Sequence, residues 1–522
     1  MQYAVNADEM KRYDRNTIEF FGMPQAVLME RAALSCTDYV EKWCLDKNIK
    51  KPRALVLAGC GNNGGDGVAI GRILKQHGFT VSLSIIGDYT KCTDALLNQL
   101  KIAGKYGIPQ RPFLKIKEER DVRDFDVIVD AMLGIGCTRP VTGTYAEAID
   151  FIADCKKAKD EDLLVLSVDM PTGINTRDGS ICQKAVKADV TITFDFMKTG
   201  LIMYPGAEYA GEVLIRDVGI TADSMLDKKP GAFFYDEPAT TLLPKRDSDG
   251  NKGSFGKILI IAGSDKISGA CLLSAEAALR SGAGMVKIFT PIQNSEVLRT
   301  KLPEAMLECY EYSDDPDNLK IISDTLKSAF EWATCVVMGP GLGLGDTAYH
   351  IVKEVLGQCD KKLIIDADAL TLIAESEKLQ RLVRDYRGKY IIMTPHLGEF
   401  ARLSGKKVSE CKNNILTMPK EMADKFGCTI ICKDARSIVA DCGQSRIYIN
   451  VSGNSGMATA GSGDILAGIL AAVSAYDLGG FKTASIGAYI HGLAGDLAKN
   501  ELGEYSMIAG DLLPALPKIF QQ

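Results

Sequence analysis

From residue 53 the chain repeats one pattern: a short, almost wholly apolar run, a glycine-bearing turn, then a longer stretch whose apolar positions recur three and four apart. The runs "RALVLAG", "TVSLSIIGD", "FDVIVDAMLG", "DLLVLSVDMPTG" and "ADVTITFD" alternate with "GVAIGRILKQHG", "TDALLNQLKIAGKYG" and "YAEAIDFIADCKK". An apolar run without polar alternation predicts a strand covered on both faces. The helical period between runs predicts crossovers that supply the cover. A parallel sheet with helices on each side is therefore expected. Two more helices, over residues 7–20 and 25–45, are predicted ahead of the first strand.

The pattern lapses between residues 221 and 250, where "TADSMLDKKPGAFFYDEPATTLLPKRDSDG" has no sustained period and predicts a domain connection. A second alternation follows in "FGKILIIAGS", "GACLLSAEAALRSG", "GMVKIFT", "TCVVMGPGLG", "KLIIDADAL", "YIIMTPHLGE", "CTIICKD" and "GSGDILAGILAAV". No fixed period relates the halves, so a fusion rather than a duplication is expected. The predicted fold class is α/β, with two three-layer αβα domains over residues 1–220 and 251–522.

Composition changes this picture little. A chain of 522 residues exceeds what one core serves, and 46% hydrophobic with 25% charged residues is ordinary for a globular protein. A net charge of −6 excludes a general nucleic-acid surface. The 15 cysteines form no C-x-x-C pair, and several, such as Cys335 and Cys432, lie in apolar runs. They are expected as reduced core residues in a cytoplasmic protein. The N-terminal "MQYAVNADEMKRYDRNTIEFF" is charged from the start, unlike a secretory signal, and "DILAGILAAVSAY" is too short to span a bilayer.

Candidate chemistry concentrates after the strands, where open parallel sheets place ligands. In "GCGNNGGDG", Gly59, Gly61 and Gly64 fit G-x-G-x-x-G, and Asp88 follows at dinucleotide spacing. Asp66 is expected near the helix start, where its carboxylate would cap the helix and compete with a phosphate for the same donors. Asn62 and Asn63 stand before the turn, and their amide oxygens suit a cation or a sugar. On this loop alone a structural turn and a dehydrogenase both stay open. Three later strand exits, 130–143, 167–176 and 193–201, bring Asp130, Asp169 and Lys198 toward one edge of the predicted sheet.

These four segments, in this order, resemble the NAD(P)H-hydrate epimerase family, a Rossmann-like domain, over about residues 1–220. The resemblance implies that the hydrated dinucleotide is held by Asn62, Asn63, Gly64, Gly65 and Asp66, by Gly134, Ile135, Gly136, Cys137, Thr138, Arg139 and Pro140, and by Tyr145 and Asp169. It implies a potassium ion on Asn63, Asp130 and Thr172, an all-oxygen donor set. It also implies that Asp169 is the acid–base group at C6 of the damaged ring, with Lys198 influencing its charge. Thr172 stands where the family more often has Ser and keeps the hydroxyl.

In the second half, Gly461-Ser462-Gly463-Asp464 opens a long apolar helix. Glycines there let free N–H groups approach an anion, and Asp464 is placed to take a proton from an attacking hydroxyl, the pairing that phosphoryl transfer requires. Asp464 as a mere helix cap is the plainer alternative. Lys433 and Arg436 end another strand as cations for a nucleotide phosphate. His396 follows Pro395 at a strand exit and is expected as a ligand contact rather than a base.

The segments "FGKILIIAGS", "MGPGLG", "TPHLGE", "CKDARS" and "GNSGMATAGSGDILAG" resemble the ADP- or ATP-dependent NAD(P)H-hydrate dehydratase family, a ribokinase-like fold, from about residue 250 onward. That resemblance implies hydrate contacts at Ala270, Gly343, His396 and Asp464. It implies nucleotide contacts at Lys433, Asp434, Ala435, Arg436, Ser437 and Gly463, with Mg2+ accompanying the nucleotide. The whole chain resembles the bifunctional NAD(P)H-hydrate repair enzymes. NADHX and NADPHX as substrates, ADP or ATP as co-substrate and a homo-oligomer are the implied partners. A small-molecule kinase with an N-terminal dinucleotide-binding regulatory domain shares the cradle and Asp464 and is the alternative. Stable phosphorylated product would mark the kinase, and inorganic phosphate with restored NADH would mark repair.

Overall fold

Every apolar run of the first half forms a strand in the computed structural model, which describes residues 1–119, 123–312 and 315–521. β1 (Arg53–Ala58), β2 (Thr80–Ile85), β3 (Val127–Ala131), β4 (Leu164–Val168), β5 (Val190–Phe194) and β6 (Glu212–Arg216) pair in parallel, in the order β2-β1-β3-β4-β5-β6. Along β1, Ala54, Val56 and Ala58 enter one core cluster while Leu55 and Leu57 enter another. The first core includes side chains of α1 (Ala7–Arg15), α2 (Gln25–Asp46), α3 (Asn62–Gln76) and α4 (Asp94–Lys105). The second includes those of α5 (Phe113–Glu119) and α6 (Gly143–Lys159). Each fully buried Val, Leu or Ile side chain is worth about 1.5–3 kcal/mol, which is why the central strands β1 and β3 lack polar alternation.

β6 departs from the pattern for a physical reason. As an edge strand it pairs with β5 alone, Glu212 is exposed, and its other residues are half-buried. The helix expected over residues 7–20 is also interrupted: α1 ends at Arg15, and Asn16–Phe20 forms a turn of π-helix. An Asn6/Glu9 capping box starts α1. Tyr13 Oη donates to the Lys228 carbonyl at 2.6 Å, and Thr17 Oγ1 and Ser224 Oγ share a hydrogen bond of 2.7 Å. Ser224 and Lys228, expected in the domain connection, are thus bonded to α1 and the turn that follows it. The short strand Gln2–Val5 pairs in parallel with Met197–Lys198, placing Val5 beside Lys198.

The chain divides into two compact units, Gln2–Ala232 and Phe233–Gln522. The second holds β7 (Lys257–Ile261), β8 (Met285–Pro291), β9 (Met306–Tyr310), β10 (Cys335–Met338), β11 (Lys362–Ile365), β12 (Tyr390–Met393), β13 (Thr429–Cys432), β14 (Ile438–Asp441) and β15 (Ile447–Ile449). Their order is β9-β8-β7-β10-β11-β12-β13-β14-β15, parallel except for the antiparallel pairs at β14 and β15. β9 is half-exposed over most of its length, and the apolar pattern did not predict it. Of the helices, α7 (Gly269–Arg280), α8 (Leu397–Ser404), α9 (Ser462–Ser474) and α10 (Gly480–Leu502) bear on the chemistry. α9 is apolar all round because it is buried all round. Ser274 Oγ of α7 donates to the Asp464 carbonyl at 2.9 Å and so fixes the start of α9. Among the described residues no helix is long and apolar enough to cross a membrane.

Candidate active sites

In the first unit the glycine loop passes directly into α3, whose N-cap is Gly61 and whose first turn contains Asn62 and Asn63. Asp66 is therefore inside the helix and does not cap it, which corrects the expectation drawn from the loop. The turn closes tightly: a Cβ on Gly64 would lie 1.9 Å from the Gly59 carbonyl oxygen, so no side chain fits there. Asp88, the residue at dinucleotide spacing, accepts from its own turn at Thr90 N (3.0 Å) and Thr90 Oγ1 (2.7 Å).

A cavity of about 560 Å³ opens beside this helix start. Asn62, Asn63, Asp66, Gly134, Ile135, Gly136, Tyr145 and Asp169, from the set the resemblance implies for the hydrate, line it together with Lys198. Gly64 and Gly65 are buried beneath the turn, Cys137 is buried, and Thr138, Arg139 and Pro140 are exposed, all outside the lining. Asp169 adopts φ +66°, a conformation few non-glycine residues hold without tertiary support. Its Oδ1 lies 2.7 Å from Lys198 Nζ and accepts from Thr193 Oγ1 at 3.0 Å. Lys198 is fully buried and also donates to the Phe194 carbonyl at 2.9 Å. Burial pushes Asp66 well above the usual carboxyl range, with the charges of Asp169 and Asp14 adding to it.

Asp130 and Thr172 meet in a fully buried network. Thr172 donates to Asp130 through Oγ1 (2.6 Å) and through its backbone N–H (2.8 Å), and Ser167 Oγ adds a third bond at 2.9 Å. Burial raises the Asp130 carboxyl while these donors lower it. Asn63 packs its amide against Gly134, and its Nδ2 is buried without a hydrogen-bond partner. Amide orientation is interchangeable at such a site, so the same side chain can present oxygen instead.

In the second unit Gly461 caps α9 at φ +92°, where a side chain would be strained and would also meet Leu273 Cδ1 at 2.6 Å. Asp464 lies in the first turn, is not the cap, and is largely buried. Burial first, then the charge of Asp366, lift its carboxyl to about 7, with Lys433 pulling the other way. Lys433 Nζ donates to Asp366 Oδ1 at 2.8 Å, and a Cβ on Gly463 would lie 3.1 Å from that Nζ. Asp366 is buried and also accepts from Thr394 Oγ1 at 2.7 Å. Asp368 accepts from Gly343 N at 2.8 Å, and a Cβ on nearby Gly341 would lie 3.0 Å from Ala270 Cβ. The structure thus gathers Ala270, Gly343, Lys433, Gly463 and Asp464 around Asp366 and Asp368, two carboxylates the sequence pattern passed over. Among the described residues no group of three His, Cys, Asp or Glu side chains is arranged as a metal cage.

His396 has a second duty. Its Nδ1 accepts from Gly398 N at 3.0 Å, capping α8, while Glu399 returns the bond to His396 N at 2.9 Å. Asparagine caps helices well and alanine does not. His396→Ala should therefore lose about 1 kcal/mol in denaturant unfolding, and His396→Asn should lose little; equal losses would remove the cap. Arg436 Nη1 donates to the Val451 carbonyl at 2.8 Å, which ties it into the loop after β13. Asp434, Ala435 and Ser437 complete that loop.

Known proteins resemble this chain over both halves. The family model described as NAD(P)H-hydrate dehydratase matches residues 258–518, and that of the YjeF-related protein N-terminus matches residues 25–200. The bifunctional NAD(P)H-hydrate repair enzyme Nnr of Thermofilum pendens is 33% identical, over 98% of this chain and 95% of that one. The chain belongs to the bifunctional NAD(P)H-hydrate repair enzyme family. The Escherichia coli member is 30% identical over 98% of this chain and 93% of its own. A solved structure, the ADP/ATP-dependent NAD(P)H-hydrate dehydratase of Bacillus subtilis co-crystallised with ATP and Mg2+, is 28% identical with a TM-score of 0.47, covering 54% of this chain and 95% of that one. Within this repair-enzyme chain, Met10, Lys11 and Asp14 also line the first cavity, although they precede the matched N-terminal segment.

Proposed function

We propose that the chain restores hydrated NADH and NADPH in two steps, with the residues gathered above as its machinery. The first unit interconverts the R and S hydrates, and the second dehydrates the S form with ADP or ATP. The observation that carries this is Asp464: a carboxyl lifted to about 7 beside the glycine start of α9 and beside Lys433. A base poised near neutral pH next to an anion cradle suits phosphoryl capture by an alcohol.

Asp464 takes the proton of the C6 hydroxyl as that oxygen bonds to the terminal phosphorus of the nucleotide, and the bridging P–O bond breaks. Phosphate is then expelled from C6 by the ring-nitrogen lone pair, and loss of a C5 proton restores the dihydropyridine. With ADP the products are the reduced coenzyme, AMP and inorganic phosphate. The Gly463 N–H at the start of α9 and the Lys433 ammonium hold the transferring group. Asp366, Asp368 and Asp464 leave this site short of positive charge before any nucleotide arrives. Mg2+ fits that deficit, held by Asp366 or Asp368 together with phosphate oxygens, and when bound it neutralises the transferred group.

In the first unit Asp169, oriented by Lys198 and Thr193, moves a proton at the C6 oxygen. Potassium suits Asn63, Asp130 and Thr172: Thr172 joins the buried Asp130 carboxyl, which has no ion pair, to Leu133, and the unpartnered Asn63 amide packs on the next residue, Gly134. A bound cation would favour the charged form of Asp130. The test supplies mixed hydrate epimers with ADP and Mg2+. Full recovery of NADH absorbance with one phosphate released per coenzyme is expected; an accumulating phosphorylated hydrate would reject repair in favour of a kinase.

A further inference from the structure

The first cavity holds a carboxyl that the Asp169–Lys198 pair does not explain. Asp14 projects from α1 into the lining that also contains Asp66, Asp169 and Lys198. It lies ahead of residue 25, where the match to the N-terminal family model begins. No described residue makes a hydrogen bond or ion pair with it, and it meets Asp169, Lys198 and Asp66 through their charges alone. The helix carrying it is fixed by the Asn6/Glu9 capping box, by Tyr13 on the Lys228 carbonyl and by Thr17 on Ser224. A side chain held so firmly, facing a cavity and left without a partner, is not serving the fold.

Epimerisation at C6 requires a proton to be given as the hydroxyl leaves and another to be taken as water returns to the opposite face. Asp169, with Oδ1 committed to Lys198 and Thr193, suits the second task. We infer that Asp14 performs the first, as the proton donor of the epimerase cavity. Its carboxyl protonates the C6 oxygen, the C6–O bond breaks as the ring-nitrogen lone pair forms a C=N bond, and water departs. Water then adds to the other face of C6, the lone pair returns to nitrogen, and Asp169 accepts the proton. Solvent water carries the surplus proton from Asp169 back to Asp14, so atoms and charge balance.

Burial raises the Asp14 carboxyl, the Asp169 charge raises it further, and Lys198 partly offsets both. Asp66 is pushed much further up by burial and by both other carboxyls. An acid too weak gives its proton poorly, so Asp14 is the better donor of the two and Asp66 the better neutral hydrogen-bonding contact. The charged and titratable groups that line the cavity with Asp14 are Lys11 on its own helix, Cys60 before α3, Asp66 on α3, Lys91, Tyr145, and Asp169 and Lys198 at the sheet end.

This inference rests on the proposed epimerase reaction, and the assay keeps the two apart. The full chain receives ADP and Mg2+ with purified R hydrate, whose conversion to NADH reads epimerisation, or with S hydrate, which reads dehydration alone. A wild type unable to use the R hydrate beyond spontaneous exchange would sink the proposed function itself. Given an active wild type, Asp14→Asn is expected to slow R-hydrate use about 10²–10³-fold in kcat with S-hydrate use unchanged. It should also erase the limb on which the wild-type rate falls as pH rises and the donor is lost. Asp14→Glu should restore part of both. Wild-type R-hydrate turnover in Asp14→Asn, an unchanged pH limb, or a rise in KM alone would each overturn the assignment. Should Asp14→Asn fail to fold, Asp14→Glu decides, by a displaced limb or an unmoved one.

Discussion

Asp464→Asn should stop recovery of NADH from the S hydrate, lowering the rate about 10²–10⁴-fold, and at the same time make the protein more stable above neutral pH. Both effects follow from the same carboxyl. Folding raises its pKa from 3.8 to about 7, chiefly through burial and the Asp366 charge. The folded state therefore binds this proton more tightly than the unfolded chain. Its contribution falls as pH rises from about 4 through about 7 and is a full penalty above that. At about 1.36 kcal/mol per pH unit the penalty is on the order of 1–4 kcal/mol, the lower figure allowing for solvent and coupling to Lys433. Asparagine removes it, and the melting temperature at pH 8 should rise by a few degrees. Wild-type kcat/KM for dehydration should climb with pH through a midpoint near 7 and level off above it, because the ionised form is the base. A variant that is inactive yet no more stable at pH 8 would mean that Asp464 is not a buried, penalised charge. A variant that retains activity would mean that it is not the base.

The same pairing of gain and strain explains what the sequence reveals and what it hides. Strands β1, β3 and β4 are legible because burial on both faces leaves nearly unbroken apolar runs, whereas Ser and Thr alternate through β2 and β5, and the edges β6 and β9 are only partly buried. The loop of Asn62–Asp66 is legible as a ligand loop, but the helix starts at Asn62, ahead of the glycines that usually signal a break. Asp366 and Asp368 sit in "DADAL", which reads as an ordinary strand end. What separates their side chains is Ala367 at φ +49°, a conformation that no alanine in a sequence announces. The Lys433–Asp366 bond joins residues 67 apart, and no local period encodes it. Asp14 is hidden for the opposite reason: on an exposed amphipathic helix one acidic residue among "DEMKRYDR" looks like solvated surface until the fold turns it toward a cavity.

Asp169→Asn should abolish use of the R hydrate, so that mixed epimers with ADP give a progress curve that stalls with one epimer left, apart from slow spontaneous exchange. The stability change should have the opposite sign to that of Asp464→Asn. Lys198 is fully buried and has Asp169 as its ion-pair partner at 2.7 Å; without that charge it keeps the Phe194 carbonyl at 2.9 Å and the weaker pull of Asp14 and Asp195, neither of which pairs with it. Breaking a buried pair from one side costs about 3–5 kcal/mol, because the remaining ion stays desolvated. Loss of activity in the single variant alone would therefore be ambiguous between chemistry and folding. The double variant Asp169→Asn, Lys198→Met resolves it, since removing both charges often returns most of the stability that removing one forfeits. Restored melting temperature with R-hydrate turnover still absent makes Asp169 a proton-transfer group. Turnover that returns together with stability would instead reduce Asp169 to a structural partner of the lysine, and the acid–base pair of the cavity would have to be sought between Asp14 and Asp66.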